Sequence, residues 1–425
     1  EENTCSVPVG FVRVTVPEQG RILTSIPFHP FNGSITSVFS GQLAGPTNSF
    51  GIQKILKWDS ENQAYLTAIK VHGVEDEELQ GVNERWFTDL ESMDASTMTV
   101  GPGEGFWIVN ESDKPHNAYL WGQVVLEEAM PARLVPGINF LGYPYSTFKR
   151  IAHSDFVKNA REMDSVQKYA RETYWHLQVD TEGGARWQSL TDKQDYAVEA
   201  KLEPGMGYIY GRTGTNSRSW VEERPYDDIF PTGGPPCVVA MRPNWNGAEI
   251  SLIMVCSGEK GEKLDIMYKD AATTNLFISA PGWKLADKDI SVPNVSGGTN
   301  MFTGETFIPT VCWTDAGFGR GRVNTVRVRY YLVGRADIDH DGDAIPDARE
   351  TFIYGTYPNS PDSDCDGMPD GWEISQALDP LRDDSQEDPD RDGKTNLQEY
   401  TDGTHPQYAR EHNVVIYVNC EIGDD

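Results

Sequence analysis

Between Asp337 and Tyr408 the chain repeats one arrangement of oxygen-bearing groups three times. The first run sets Asp339, Asp341, Asp343, the main-chain carbonyl of Ile345, Asp347 and Glu350 at positions 1, 3, 5, 7, 9 and 12 of one loop. The second sets Asp362, Asp364, Asp366, the carbonyl of Met368, Asp370 and Glu373 at the same positions, and the third Asp388, Asp390, Asp392, the carbonyl of Lys394, Asn396 and Glu399. A hard dication such as calcium takes about six to eight oxygens at about 2.3–2.6 Å, and oxygen on alternate residues, closed by a bidentate glutamate, wraps one such ion. The array is therefore expected to hold up to three calcium ions. Position 6 has to turn with positive φ, which suits Gly367 and Gly393. Ala344 stands there in the first run, so that loop is expected to be the weakest. The competing reading is a solvated acidic tail. Against it, each run leads into a segment bearing apolar residues, at Phe352, Trp372 and Leu397.

The loops match the EF-hand ligand pattern, but in that family two loops pair through a β-bridge at position 8. Here Pro346 and Pro369 fill that position and have no N–H to give. Turn signals at Gly355–Pro358 and Gly403–Pro406 separate successive units of a loop and a short helix. A serial string of Asp-rich loops with proline after the seventh position resembles the thrombospondin type 3 repeats of matrix proteins and similar loops of bacterial surface proteins. The resemblance implies rigidity that depends on calcium, with ions replacing a hydrophobic core. It covers only the array and departs from the matrix family in cysteine content, since Cys365 is the one cysteine there. Dockerin, a calcium-loop module that docks to a cohesin, is the second relative by pattern, although it has two loops rather than three.

The 425 residues suffice for several domains with cores of their own. Formal net charge is −29, and the window 337–408 carries 20 Asp+Glu against 4 Lys+Arg, so the array holds more than half of the excess acidity. No basic footprint invites nucleic acid, and no apolar run is long enough to span a membrane. Six cysteines without a C-x-x-C pair argue against zinc and suit disulfides in an oxidising compartment. The start at Glu1 without methionine fits a mature exported chain or an arbitrary boundary. Weak calcium sites suit millimolar extracellular calcium, so an extracellular or cell-surface location is expected.

Ahead of the array the chain reads as mainly β and multidomain, with short alternating strands between Gly/Pro turns. Residues 1–128 and 129–226 are expected to be two copies of one β-domain. Val135–Tyr145 matches Val16–Phe28, Thr173–Leu177 matches Ile55–Asp59, and Leu202–Tyr210 matches Val100–Ile108. A short helix is expected near Asp155–Ala170 in the second copy. The Pro-Gly-x-Gly elements at 102–105 and 204–207 are expected to be tight turns feeding core strands rather than ligand loops. Pro225–Pro236 reads as a linker, and 227–336 as a β-sandwich of immunoglobulin-like type. Residues 337–408 form the array, and 409–425 hold one strand from Asn413.

That last strand has no sequential partner and must join a sheet. It either completes a sheet of its own chain or adds to a neighbour's, and in the second case head-to-tail contacts that do not close give a fibre. A Cys5–Cys420 bridge is one pairing among many. Trp86, Trp121 and Trp220 are the aromatic residues least clearly destined for a core, and with them a polysaccharide or cell-surface partner is the alternative. Asn32, Asn110 and Asn294 have the form of glycosylation acceptors. No H-E-x-x-H, G-x-S-x-G or P-loop occurs, so no enzymatic role is expected. The sequence thus points to a secreted, non-catalytic, calcium-binding structural protein that assembles with itself. A calcium-stiffened adhesion or carbohydrate-binding protein, or dockerin-like anchoring, stands as the alternative.

Overall fold

The computed structural model describes residues 3–39, 52–74, 83–88, 97–155, 160–169, 174–180, 186–189, 200–225, 236–246, 249–257, 261–270, 281–292, 310–315 and 328–409. The expected C-terminal strand, Cys420 and Asn294 lie outside these residues, as does the side chain of Trp86. The chain forms two compact units, Glu1–Arg335 and Ala336–Asp425. It is mainly β, with antiparallel sheets throughout the first unit.

Within the first unit two five-stranded sheets have the same order of strands. One runs Gly20–Ser25, Gly105–Asn110, Ile52–Asp59, Ala64–Val74, Asn83–Thr88; the other runs Gly137–Gly142, Gly207–Arg212, Ser165–Tyr169, Tyr174–Asp180, Arg186–Ser189. Each is flanked by a two-stranded stem, Val9–Val16 with His116–Val124 in the first copy and Ala129–Leu134 with Arg218–Glu223 in the second. The equivalence differs from the sequence matching by one strand, because Ser165–Tyr169, not Thr173–Leu177, occupies the place of Ile52–Asp59. The helix expected near Asp155–Ala170 does not form among the described residues. Ile151–His153 is a single 3-10 turn and Ser165–Tyr169 is a strand. Buried Asp164 fixes this outcome by accepting hydrogen bonds from Arg161 N, Thr213 N and the Tyr210 hydroxyl, which hold the chain in a turn against the neighbouring strand.

The two copies join through matched contacts. Thr24 bridges to Met206 and Leu141 to Glu104. Ser25 N donates to Gly205 O at 3.4 Å, and Gly142 N donates to Gly103 O at 2.9 Å. Exchanging the copies carries each contact into the other, so the pair has local twofold character. This gives the Pro-Gly-x-Gly elements a second role. Gly103 and Gly205 supply positive φ, at 85° and 78°. Gly105 and Gly207 let main chain meet main chain, since a Cβ on Gly105 would lie 2.7 Å from Leu141 O and one on Gly207 2.9 Å from Thr24 O. Gly105→Ala is expected to lower stability by about 1–3 kcal/mol, the range for overpacking where backbone must move. Gly101→Ala, which meets nothing within 4 Å, serves as the control; urea unfolding monitored by fluorescence compares them.

The first stem does not stand alone. Val9–Val16 lies between His116–Val124 and Val328–Arg335 in a six-stranded sheet completed by Lys263–Asp270, Lys284–Ser291 and Phe28–His29. Segments 1–128 and 227–336 therefore share a sheet rather than each closing upon itself. A three-stranded sheet, Cys237–Asn246, Glu249–Ser257 and Thr310–Asp315, packs on one face of it. Between the two lie Val9, Phe11, Tyr119, Trp121, Ile266, Tyr331 and Val333 from one side and Val238, Met241, Cys256 and Trp313 from the other. On the opposite face Tyr330 packs edge-on against Phe28 and donates its hydroxyl proton to Ser146 O. Both faces of Val328–Arg335 are thus covered, and all eight of its residues are buried.

Trp121 and Trp220 are buried, with Trp220 Nε1 donating to Glu222 at 2.9 Å. Neither forms a platform for a sugar, which was the alternative reading of these residues, and both belong to the interior. Asn110 is also buried, its Nδ2 donating to Pro17 O and Lys114 O, so a glycan has no access to it. Asn32 is exposed.

Candidate metal centre

Unit Ala336–Asp425 has a small apolar interior among its described residues, with Ile338, Ile345, Ala348, Phe352 and Met368 buried. Buried beside them are Asp347, Glu350, Asp370, Glu373, Asp384, Asn396 and Glu399. So many acidic groups out of water demand compensation, because an unpaired buried carboxylate is among the most unfavourable groups a fold can hold.

The three loops share one set of hydrogen bonds. The position-6 amides of Ala344, Gly367 and Gly393 donate to Asp339, Asp362 and Asp388 at 3.0, 2.9 and 3.0 Å. The position-7 amides of Ile345, Met368 and Lys394 donate to Asp343, Asp366 and Asp392 at 2.8, 3.0 and 3.0 Å. The position-9 amides of Asp347, Asp370 and Asn396 donate to the carbonyls of Ile338, Pro361 and Glu387, just before each loop. These bonds use one face of each carboxylate and curl the chain so that other oxygens converge.

That curl requires positive φ at two places, positions 4 and 6. They are Gly342 and Ala344 at 78° and 79°, Cys365 and Gly367 at 65° and 97°, and Arg391 and Gly393 at 62° and 94°. Each loop thus has glycine at one of the two and an L side chain at the other. The first loop merely places its glycine earlier, and Ala344 adopts the same conformation as the glycines opposite it in the pattern. Ala344→Gly is expected to raise stability by about 0.5–1 kcal/mol, relieving left-handed strain at some cost in unfolded-chain entropy. The shift in thermal midpoint in millimolar calcium measures it.

Five groups of carboxylates lie with oxygens within 4.8 Å of one another: Asp339/Asp341/Asp343, Asp343/Glu350/Asp370, Asp362/Asp364/Asp366, Asp366/Glu373/Asp384 and Asp388/Asp390/Asp392. Positions 1, 3 and 5 therefore meet in every loop, and the closing glutamates of the first two loops join them through Asp343 and Asp366. Position 9 behaves differently. Asp347 and Asp370 accept from the position-2 amides of His340 and Ser363 at 3.0 and 2.8 Å, bracing their own loops. Asp370 in addition faces the carboxylates of the preceding loop. In the third loop position 2 is Pro389, which has no amide to offer, and Asn396 turns instead to Asp384, donating to its carbonyl and carboxylate at 2.9 and 3.0 Å. Asp384 lies outside the twelve-residue pattern, so spacing alone could not have found it.

The donor set fits a hard cation. Glu373 is fully buried with neither carboxylate oxygen hydrogen-bonded, and Glu350 Oε2, Asp341 Oδ2, Asp364 Oδ2 and Asp390 Oδ2 are likewise buried without partners. Burial, together with Asp366 and Asp364 nearby, pushes the Glu373 carboxyl up to about 9. Burial and the neighbouring Asp341 and Asp343 push Glu350 up to about 8. All of the side-chain donors are oxygen, which favours calcium or magnesium over softer metals. The number of oxygens and the flexible carboxylate geometry suit calcium better than the octahedral demand of magnesium.

No protein-family model, no curated protein and no solved structure matches this chain. No described helix is long and apolar enough to cross a membrane.

Proposed function

We propose that the chain is a calcium-braced structural protein of the extracellular space or cell surface, in which the loop array is stable only when its carboxylates are neutralised by bound ions. The observation that carries the reading is Glu373, a fully buried carboxylate with both oxygens unpartnered beside Asp366 and Asp384. Such a group has a physical rationale as a ligand and none as packing. Supporting it, the apolar interior formed by the described residues of that unit is too small to balance their chain entropy without a further source of stability. The excess of negative charge across the array falls with each ion bound. Calcium contents of a few ions per chain are expected, with Asp339, Asp341, Asp343 and Glu350 on the first, Asp362, Asp364, Asp366 and Glu373 on the second, and Asp388, Asp390, Asp392 and Glu399 on the third.

The role is structural rather than sensory, because prolines at positions 8 of the first two loops remove the amides through which sensor loops pair. Self-association is the favoured use of the assembled molecule. The test is molar mass by light scattering on purified protein, with bound metal measured by elemental analysis, in millimolar calcium and after chelation. A large assembly that dissociates on chelation supports a calcium-braced polymer. A calcium-loaded monomer overturns self-association and leaves a stiffened adhesion module, and metal-free protein with unchanged stability overturns the whole reading.

A further inference from the structure

We infer that Asp384 is a ligand of the ion held by the second loop, so that this site is closed by the connector to the third loop rather than by its own twelve residues. The inference rests on the calcium reading above and adds to it a residue, and a coupling between units, that the repeating pattern does not contain. Its geometry is direct. Asp384 is buried, and one of its carboxylate oxygens lies within 4.8 Å of oxygens of Asp366 and Glu373. The independent sign of a ligand is Glu373, with no hydrogen-bond partner for either oxygen. Three acidic groups so placed repel one another unless a cation sits among them.

The first loop supplies the comparison within the same molecule. There the corresponding third carboxylate is Asp370, at position 9 of the next loop. Loop three carries Asn396 at that position, an amide with no charge to contribute. The connector compensates: Asp384 brings the carboxylate, and Asn396 Nδ2 donates to Asp384 Oδ1 at 3.0 Å. Asn396 Oδ1 is buried without a partner, which places a second unsatisfied oxygen beside the same group. Asp384 and Asn396 together thus do for the second site what Asp370 does for the first. Both sites then bind two consecutive units to one ion, and filling one favours the ordered conformation that the next requires.

The experiment uses the full chain and terbium as the probe, with luminescence excited through Trp372, the one tryptophan of the array and the neighbour of Glu373 in sequence. Calcium competition against terbium reads the affinity of the second site. Asp384→Asn is expected to weaken it at least as much as losing a group that only supports a ligand does, about 10- to 100-fold. Asp384→Asn combined with Asn396→Asp, which returns the carboxylate to the position Asp370 uses, is expected to recover most of the loss. Recovery also excludes misfolding as the cause of the single variant's effect. If Asp384→Asn leaves the affinity unchanged while Asp366→Asn abolishes it, the inference is overturned and the calcium reading survives. Should Asp366→Asn also leave it unchanged, both fall. A single-variant loss that the double variant fails to recover overturns the assignment of Asp384 as a ligand.

Discussion

Glu373→Gln is expected to lower the stability of the array by about 2–3 kcal/mol in millimolar calcium and to change it little in chelator. The first figure is the linkage free energy of an ion present at about 100 times its dissociation constant, about 2.7 kcal/mol, which is lost if the substitution abolishes binding. The second follows from the state of the group when no ion is bound. Burial and the adjacent Asp366 and Asp364 hold its carboxyl up to about 9, so at neutral pH it is already protonated, and glutamine is close in shape and charge to that form. The sign with pH follows: a glutamate whose folded pKa is raised contributes stability below about 4.5 and loses it as pH rises towards 9, so chelated protein should melt lower at pH 8 than at pH 5. Thermal unfolding of both variants in calcium and in chelator, at those two pH values, checks this. Equal effects of the substitution with and without calcium would mean that Glu373 holds no ion.

In the other unit the largest expected effect belongs to Arg329→Met, a loss of about 3–5 kcal/mol, the range for removing one partner of a buried ion pair. Arg329 is fully buried; it bonds Asp270 through Nε and Nη2, and Asp315 through Nη1 at 2.9 Å, with its guanidinium over the Tyr268 ring. Asp315 is buried as well and also accepts from the Tyr331 hydroxyl at 2.7 Å, so the substitution takes a countercharge away from a buried carboxylate. Arg329→Met with Asp315→Leu should recover part of the loss, since an apolar pair avoids desolvation altogether. Urea unfolding of the two variants, followed by near-ultraviolet circular dichroism, would measure the difference. A single-variant loss below about 1 kcal/mol would mean that the network is hydrated rather than buried.

The clustering of acidic groups in the three loops was legible because their chemistry is local: six oxygens on twelve residues need no tertiary contact to be recognised. The mainly-β class was legible from alternation, as at Val12–Val16, where Val12, Val14 and Val16 share one face and Arg13 and Thr15 the other. What escaped was set by contacts distant in sequence. Asp384 belongs to the second site only because Asn396 and the connector hold it there. The positive φ at Cys365 and Arg391 had no signal, since neither residue announces a left-handed turn; glycine at position 6 gave away half of the requirement. The helix read near Asp155–Ala170 gave way to the bonds Asp164 makes with Thr213 and Tyr210 from another strand. The shared six-stranded sheet was invisible for the same reason, because nothing in Val9–Val16 names Val328–Arg335 as its neighbour.

That pairing sets the order in which the chain can fold. Val9 lies opposite Tyr331, and Val12 opposite Val328. During synthesis from the N-terminus the first strand must therefore wait for nearly the whole of its unit before its second edge is covered. The two repeated sheets can form earlier, from pairings complete by about residue 212. Closing the sandwich sheet is then a late event of high contact order, and such steps are slow and leave a strand edge exposed meanwhile. Val328–Arg335 thus acts as a seal, joining the sandwich only once both repeats have emerged.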